Sequence, residues 1–364
     1  MDIPEFVNRE KEIKEVKAIL SGRPNFVYFV YGPINSGKTA LLMKVFEDLP
    51  ENYVVFYINF RGLDVERVED LMKVLFDVEY GKGKEAIKEI VREIVKEGSK
   101  VLKRAKGIPI PEKVFDYLFE RKRKTEDAFR YLENLFSEVV EGGKRPILVI
   151  DELQVIKKVI NATGQLVLNR LFNFMVRLTK ETHLCHCLCA TSDCLFIEDV
   201  YSNARLEGRA KYLLVDDLDK EEADRVYEGF GFEDKELVWD YIGGKIGDMV
   251  SLFEEKKRGL SEKEALESML KNERAKLSDF LEKVEYGKKF FEYEGEKVKI
   301  EKEKIMDIFQ ILSNNEIVKK EEIIPVYRNY LVSKNILFYN PVEGTVRPQS
   351  RLLWRAIREV IRGI

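Results

Sequence analysis

Apolar positions along the chain fall into two periods. Short runs stand at Phe26 to Tyr31, Tyr53 to Phe60, Ile147 to Ile150, Leu184 to Ala190 and Tyr212 to Val215. Runs of this length that are almost wholly apolar predict strands buried on both faces, the kind found in parallel sheets. Between them the apolar residues recur at helical spacing. Ile13, Val16, Ile19 and Leu20 form one stripe, with Asn8 placed to cap it, and Leu41, Leu42, Val45 and Phe46 form another. Residues 64 to 140 read as mostly helical. Ile87, Ile90, Val91, Ile94 and Val95 are striped along a charged stretch, Gly107 to Pro111 interrupts, and a basic run follows at residues 121 to 124. A further helix is expected over 165 to 180. Strands alternating with helices predict an α/β core around a parallel, five-stranded sheet.

The link between the first strand and the second stripe carries chemistry. Gly32-Pro33-Ile34-Asn35-Ser36-Gly37-Lys38-Thr39 fits G-x-x-x-x-G-K-[ST] at every fixed position. A phosphate chain needs a concave nest of backbone N–H donors, and glycine lets the backbone curl that closely. The helix that opens at Lys38, Thr39 and Ala40 adds the partial positive charge of its N-terminus. Lys38 is expected to reach the β- and γ-phosphates, and the Thr39 hydroxyl to ligate Mg²⁺. Gly32 through Ala40 are therefore the candidate nucleotide-binding residues.

The third strand ends in Asp151-Glu152. A carboxylate at a strand's C-terminal tip suits Mg²⁺ opposite Thr39, and Glu152 just beyond it suits a general base that polarises water. The pair places the chain in the additional-strand class of P-loop ATPases. Thr191 and Ser192, at the tip of the next strand, are both candidates to sense the γ-phosphate. Arg205 and Arg209, before the last strand, are candidates to stabilise the transferred phosphate, in cis or from a neighbouring subunit.

From Asp216 the pattern turns helical, with glycine breaks at 243–247 that suit a lid, and a polar helix spans 261 to 285. Beyond it two helical patterns, about 303–313 and 321–334, precede Asn335 to Tyr339. A turn at 341–344, a return over 345–347 and a last helix over 352–361 follow. Two helices and a hairpin predict a winged helix. Residues 286–364 hold 15 Lys+Arg against 11 Asp+Glu, and Arg351, Arg355, Arg358 and Arg362 form one stripe. That stripe could meet DNA phosphates, although winged helices also dock proteins. The expected division is 1–215 core, 216–285 lid and connector, and 286–364 winged helix.

Composition changes this picture little. At 364 residues and 45% hydrophobic content several domains can each bury a core, and the Lys- and Glu-rich 35% of charged residues leans towards a thermophile. A net charge of −3 removes any global attraction to nucleic acid or anionic membrane. No apolar run is long enough for a membrane span, and no signal-peptide pattern opens the chain, so a cytoplasmic protein is expected. The four cysteines, all within 185–194 and beside His183 and His186, raise the question of a metal. Zinc sites usually pair short Cys units across a long gap, whereas Cys185, Cys187 and Cys189 alternate on one face of a strand as small hydrophobes do.

Taken together, FVNREKE, GPINSGKT, ILVIDELQ, the EGRA segment and LVSKNILFYNPVEGTVRPQSRLLW resemble the archaeal ATPase family of STAND-type signal-transduction NTPases, which are related to AAA+ proteins. The resemblance spans nearly the whole chain. It implies the αβα core, helical lid and C-terminal winged helix, with ATP or ADP and Mg²⁺ bound. One departure stands out: related proteins carry Gly-Gly-x-Pro in the lid, whereas Gly243-Gly244-Lys245-Ile246-Gly247 has no proline, which puts the adenine contact from this segment in doubt. The expected activity is Mg²⁺-dependent ATP hydrolysis driving a molecular switch. Rival expectations are an ATP-dependent DNA-binding protein similar to archaeal replication initiators and an interaction protein that keeps ATP unhydrolysed.

Overall fold

The computed structural model describes residues 9–61, 76–79, 92, 108–111, 125–157, 166–204 and 206–363. In chain order the first elements are α1 (Glu10–Ser21), β1 (Val27–Tyr31), α2 (Lys38–Glu47), β2 (Tyr53–Asn59), β3 (Phe76–Glu79), β4 (Ile108–Pro111), α3 (Thr125–Glu141), β5 (Arg145–Asp151), α4 (Leu166–Val176), β6 (His186–Thr191), α5 (Cys194–Tyr201) and β7 (Ala210–Leu214). Strands β1, β2, β5, β6 and β7 form a five-stranded sheet in the order β2-β5-β6-β1-β7, every neighbouring pair parallel. Strand β6 separates the glycine-loop strand β1 from the Asp-Glu strand β5, so the additional strand is present. All five strand tips lie along one edge, with Tyr31 level with Thr191 and Leu214, and Asn59 level with Asp151.

The apolar runs are explained by burial on two faces. Val30, Val55, Val149, Leu188 and Leu213 point to one side, where α1 and α2 cover them with Val16, Leu20, Leu41 and Val45. Phe29, Phe56, Ile58, Leu148, Ile150, Cys187 and Cys189 point to the other, against α3 and α4. The cysteines are free and buried as apolar filler; Cys189 Sγ lies 3.5 Å from Met175 Sδ, and burial raises its thiol well above the ordinary range.

The second half continues with α6 (Lys220–Phe230), α7 (Lys235–Ile242), α8 (Ile246–Lys257) and α9 (Glu262–Tyr286), then β8 (Phe290–Tyr293), β9 (Glu296–Lys299), α10 (Lys302–Asn314), β10 (Val318–Lys319), α11 (Pro325–Ser333), β11 (Leu337–Asn340), β12 (Thr345–Pro348) and α12 (Arg351–Arg362). Helices α6 and α9 begin with capping boxes, Asp219 with Glu222 and Ser261 with Glu264. Strands β10, β12 and β11 form a small antiparallel sheet. Helix α9 packs along α12, and α12 also meets α7 and α10. Among the described residues no helix is long and apolar enough to cross a membrane.

Two expectations need correction. Residues 64–140 are not simply helical: β3 and β4 pair in parallel within them, and the Gly107–Pro111 interruption contains strand β4. The striped stretch at 82–106 and the basic run at 121–124 lie outside the described residues, apart from Arg92. Helix α1 starts at Glu10, so its capping position is Arg9, in the left-handed region at φ 76°; Asn8 lies outside the described residues. A hairpin, β8–β9, also escaped the sequence reading. Its turn at Glu294-Gly295 has φ 52° and 83°, the positive pair of a tight two-residue turn, and the alternation of FEYEGEKVK was its signal.

Candidate nucleotide site

Strand β1 delivers the glycine loop to the tip edge of the sheet. A Cβ on Gly32 would stand 2.1 Å from the Val215 carbonyl oxygen, so only glycine lets the loop leave β1 against the end of β7. Gly37 closes the loop at φ 92°, a left-handed turn that starts α2. By helix geometry the first-turn N–H groups, Lys38 to Ala40, face the loop. Arg9 is almost wholly buried, and its Nη2 donates to the Ser36 carbonyl at 2.7 Å and to the Asp216 carbonyl, tying the loop to the exit of β7. The Ile34 N–H is directed at Gln349 Oε1, 3.4 Å away in the C-terminal region. Asn35 holds the loop's middle in the left-handed region, and Pro33 and Ser36 are buried.

Lys38 folds back over the loop. Its Nζ donates to the carbonyls of Gly32 and Pro33 at 3.0 and 2.8 Å. Burial, and next the nearby charge of Lys245, pushes its ammonium down to about 8. A cation held only by neutral carbonyls is poorly compensated, and anionic phosphate oxygens would compensate it better.

The strand tips bring the acidic pair across the additional strand. Thr39 Oγ1 donates to Asp151 Oδ2 at 2.8 Å, and the Tyr57 hydroxyl donates to the same oxygen. A hydroxyl and a carboxylate this close form a hard-oxygen donor set suited to Mg²⁺. Glu152 follows in the left-handed region at φ 58°, its N–H donating to Asp151 Oδ1 at 2.9 Å. Its carboxylate is paired with Arg61, whose Nε lies 3.2 Å from Oε1, and accepts from Gln154 Nε2. Gln154 in turn accepts from Thr191 Oγ1 at 2.6 Å. One polar chain thus runs Thr191, Gln154, Glu152, Arg61 across three strand tips. Ser192 stays out of it and lines a cavity of about 370 Å³ with Ile34, Gln154, Lys157 and Gln349.

Tyr57, Arg61 and Gln154 were missed by sequence reasoning. Arg61 and Gln154 share one signal, a position just past the tip of a strand that ends on the site edge, whereas Tyr57 lies two residues before the end of β2. Arg209 needs correction. It precedes β7 and its carbonyl accepts from the Val27 N–H at 3.0 Å, at the opposite edge of the sheet. The five residues of β7 put about 15 Å between it and the glycine loop, so it cannot act there in cis. Arg205 lies outside the described residues. The basic stripe is also partly spent: Arg351 stacks over Trp239 at 5.3 Å, and Arg355 lies 4.0 Å over Tyr241 and pairs with Asp240, both holding α7.

The profile described as "ATPase domain predominantly from Archaea" matches residues 6–252. The chain belongs to this family. Its remaining length, residues 263–361, matches the C-terminal domain of proteins like the uncharacterized ATP-binding protein MJ1010. Family relatives include two uncharacterized ATP-binding proteins of Methanocaldococcus jannaschii. MJ0147 is 45% identical, covering 98% of both chains, and MJ0801 is 43% identical, covering 98% of this chain and 100% of that one. The Walker-type ATPase PABY2304 of Pyrococcus abyssi shares the fold at TM-score 0.60 and 18% identity, over 97% of this chain and 96% of that one.

Proposed function

We propose that this family member is a Mg²⁺-dependent ATPase of the cytoplasm that works as a nucleotide-controlled switch. One observation carries it: the 2.8 Å contact between Thr39 and Asp151, with Glu152 as the next residue. Thr39 and Asp151 would hold Mg²⁺, which neutralises charge on the β- and γ-phosphates when bound. The loop N–H groups from Gly32 to Ala40 and the Lys38 ammonium would bind and orient the triphosphate. Glu152 would accept a proton from the water as its oxygen bonds to the γ-phosphorus and the β–γ bridging oxygen leaves. Doing so requires it to leave Arg61. Thr191, already linked to Glu152 through Gln154, is the better sensor candidate than Ser192 on this geometry.

The domain plan we favour is core 1–215, lid and connector 216–285, and winged helix 286–364, with α9 moving with the winged helix because it packs along α12. Engagement of Arg351 and Arg355 by the lid favours a protein partner over DNA for this part. Single-turnover hydrolysis by Glu152→Gln tests the proposal. ATP should still bind, while hydrolysis slows by a factor of about 10²–10⁴; turnover at the normal rate would remove Glu152 as the base.

A further inference from the structure

Lys245 occupies the capping position of α8, beside the glycine loop and 5% exposed. The start of α8 lies directly on the loop. A Cβ on Gly247 would stand 2.8 Å from the Asn35 Cβ, and one on Gly37 would stand 3.3 Å from Ile246 Cδ1. Lys245 Nζ donates to the Gln349 carbonyl at 2.7 Å and lies 3.4 Å from Asp217 Oδ1. Gln349 is therefore shared between two neighbours. Its backbone oxygen holds the lid through Lys245, while its carboxamide meets the Ile34 N–H of the glycine loop at 3.4 Å and donates to the Leu337 carbonyl at 3.1 Å. Arg347, from the same β12 end, pairs with Asp216 and with Asp217 at 3.4 Å.

A buried ammonium that has one carbonyl, a shared carboxylate and the charge of Asp248 nearby is still an expensive way to join two domains, since an apolar side chain of similar length would join them at less cost. Lys38 and Lys245 put two ammonium groups into one poorly solvated basin, and their mutual repulsion contributes to the low affinity of Lys38 for its proton. Phosphate oxygens entering that basin would favour both. If Lys245 turned to them, Asp217 would keep Arg347 as a partner and would not be stranded.

Accepting the glycine loop as a nucleotide site, we propose that Lys245 is a two-position cation. Without nucleotide it ties the lid to Gln349 and so holds the C-terminal domain on the glycine loop; a nucleotide phosphate draws it away and releases that domain. Phosphate binding at α2 and movement of α12 are then two ends of one exchange of partners.

The test uses the full chain. The four native cysteines are buried, so Lys14→Cys on α1 and Ile317→Cys, both at exposed positions, accept spin labels selectively. In this background, a non-hydrolysable ATP analogue with Mg²⁺ should change the label separation. Lys245→Met should bind the analogue about tenfold or more weakly and show no change at saturation, whereas Lys245→Arg should restore both. Asp217→Asn, which loosens the latch from the other side and does not depend on how Lys245→Met folds, should shift the nucleotide-free separation towards the bound value. Ordinary affinity and movement in Lys245→Met, a fixed separation in the parent with analogue bound, or an unshifted Asp217→Asn would each overturn the two-position cation while leaving nucleotide binding intact. A parent that binds no nucleotide would overturn both.

Discussion

Two polar clusters flank the glycine loop, and they differ in how their charges are satisfied. At the tips of β2, β5 and β6, Asp151 accepts from two hydroxyls and Glu152 is paired with Arg61, a side chain 69% exposed. Beyond β7, Lys245 links Gln349 to Asp217, and Asp217 pairs with Arg347, among groups that are mostly buried. The carboxyl of half-buried Asp248 lies beside them with its Oδ2 out of water and without a hydrogen-bond partner, and desolvation pushes it up to about 7. In the first cluster Asp151 is itself buried, but the Glu152–Arg61 pair reaches water through Arg61 and can exchange partners at low cost, as the proposed hydrolysis requires. The second holds charges away from water, so the arrival of phosphate has a larger leverage on it. The proposed chemistry and the proposed mechanics therefore fall on opposite sides of one loop.

The comparison breaks most visibly if Lys38, which faces both clusters, proves dispensable. Lys38→Ala should lower hydrolysis by about 10²–10³, measured as phosphate release at saturating nucleotide, by removing a donor aimed at developing phosphate charge. On the chemical side alone, Asp151→Asn should raise the Mg²⁺ concentration needed for half-maximal turnover by about 10–100-fold while leaving the folded protein as stable as before. On the mechanical side, Arg347→Met should lower stability in urea by about 1–3 kcal/mol, because it leaves Asp216 and Asp217 short of a partner. An equal loss of stability from Asp151→Asn would erase the distinction between the clusters.

The smallest effect lies away from both. Burial, and then the charge of Arg145, pushes the His186 imidazole from 6.5 down to about 4. The unfolded chain binds that proton more readily across this window. Stability is therefore full above pH 6.5 and drains away as the pH falls towards 4. The difference in urea midpoint between about pH 7.5 and pH 5 should shrink in His186→Leu; an unchanged difference would assign the acid sensitivity to other groups.

Much of the core was legible in the sequence because its signals are local. Strand β1, the glycine loop and α2 are contiguous, and each stretch carries its own period, so Lys38 and Thr39 needed no knowledge of the rest. Asp151 and Glu152 were legible because a buried parallel strand reads as four aliphatics, which makes the acids after it conspicuous. Tyr57, Arg61 and Gln154 were harder. Tyr57 sits within an apolar run where a tyrosine reads as core, and the ion pair of Arg61 with Glu152 spans 91 residues.

What the sequence determined by itself was the five strands of the main sheet, the helices beside them, and a glycine loop and acidic pair whose chemistry suits phosphate and Mg²⁺. Periodicity and side-chain chemistry are properties of neighbours along the chain, and they survive without a partner. The strand inserted between β1 and β5 was already implied by the Asp-Glu pair; only the tertiary structure decided that Arg209 is at the opposite end of β7 from the glycine loop and that Arg351 and Arg355 hold α7. Those outcomes depend on which apolar faces and charges lose water together, and residues as distant in sequence as Ile34 and Gln349 meet only once the whole chain has packed.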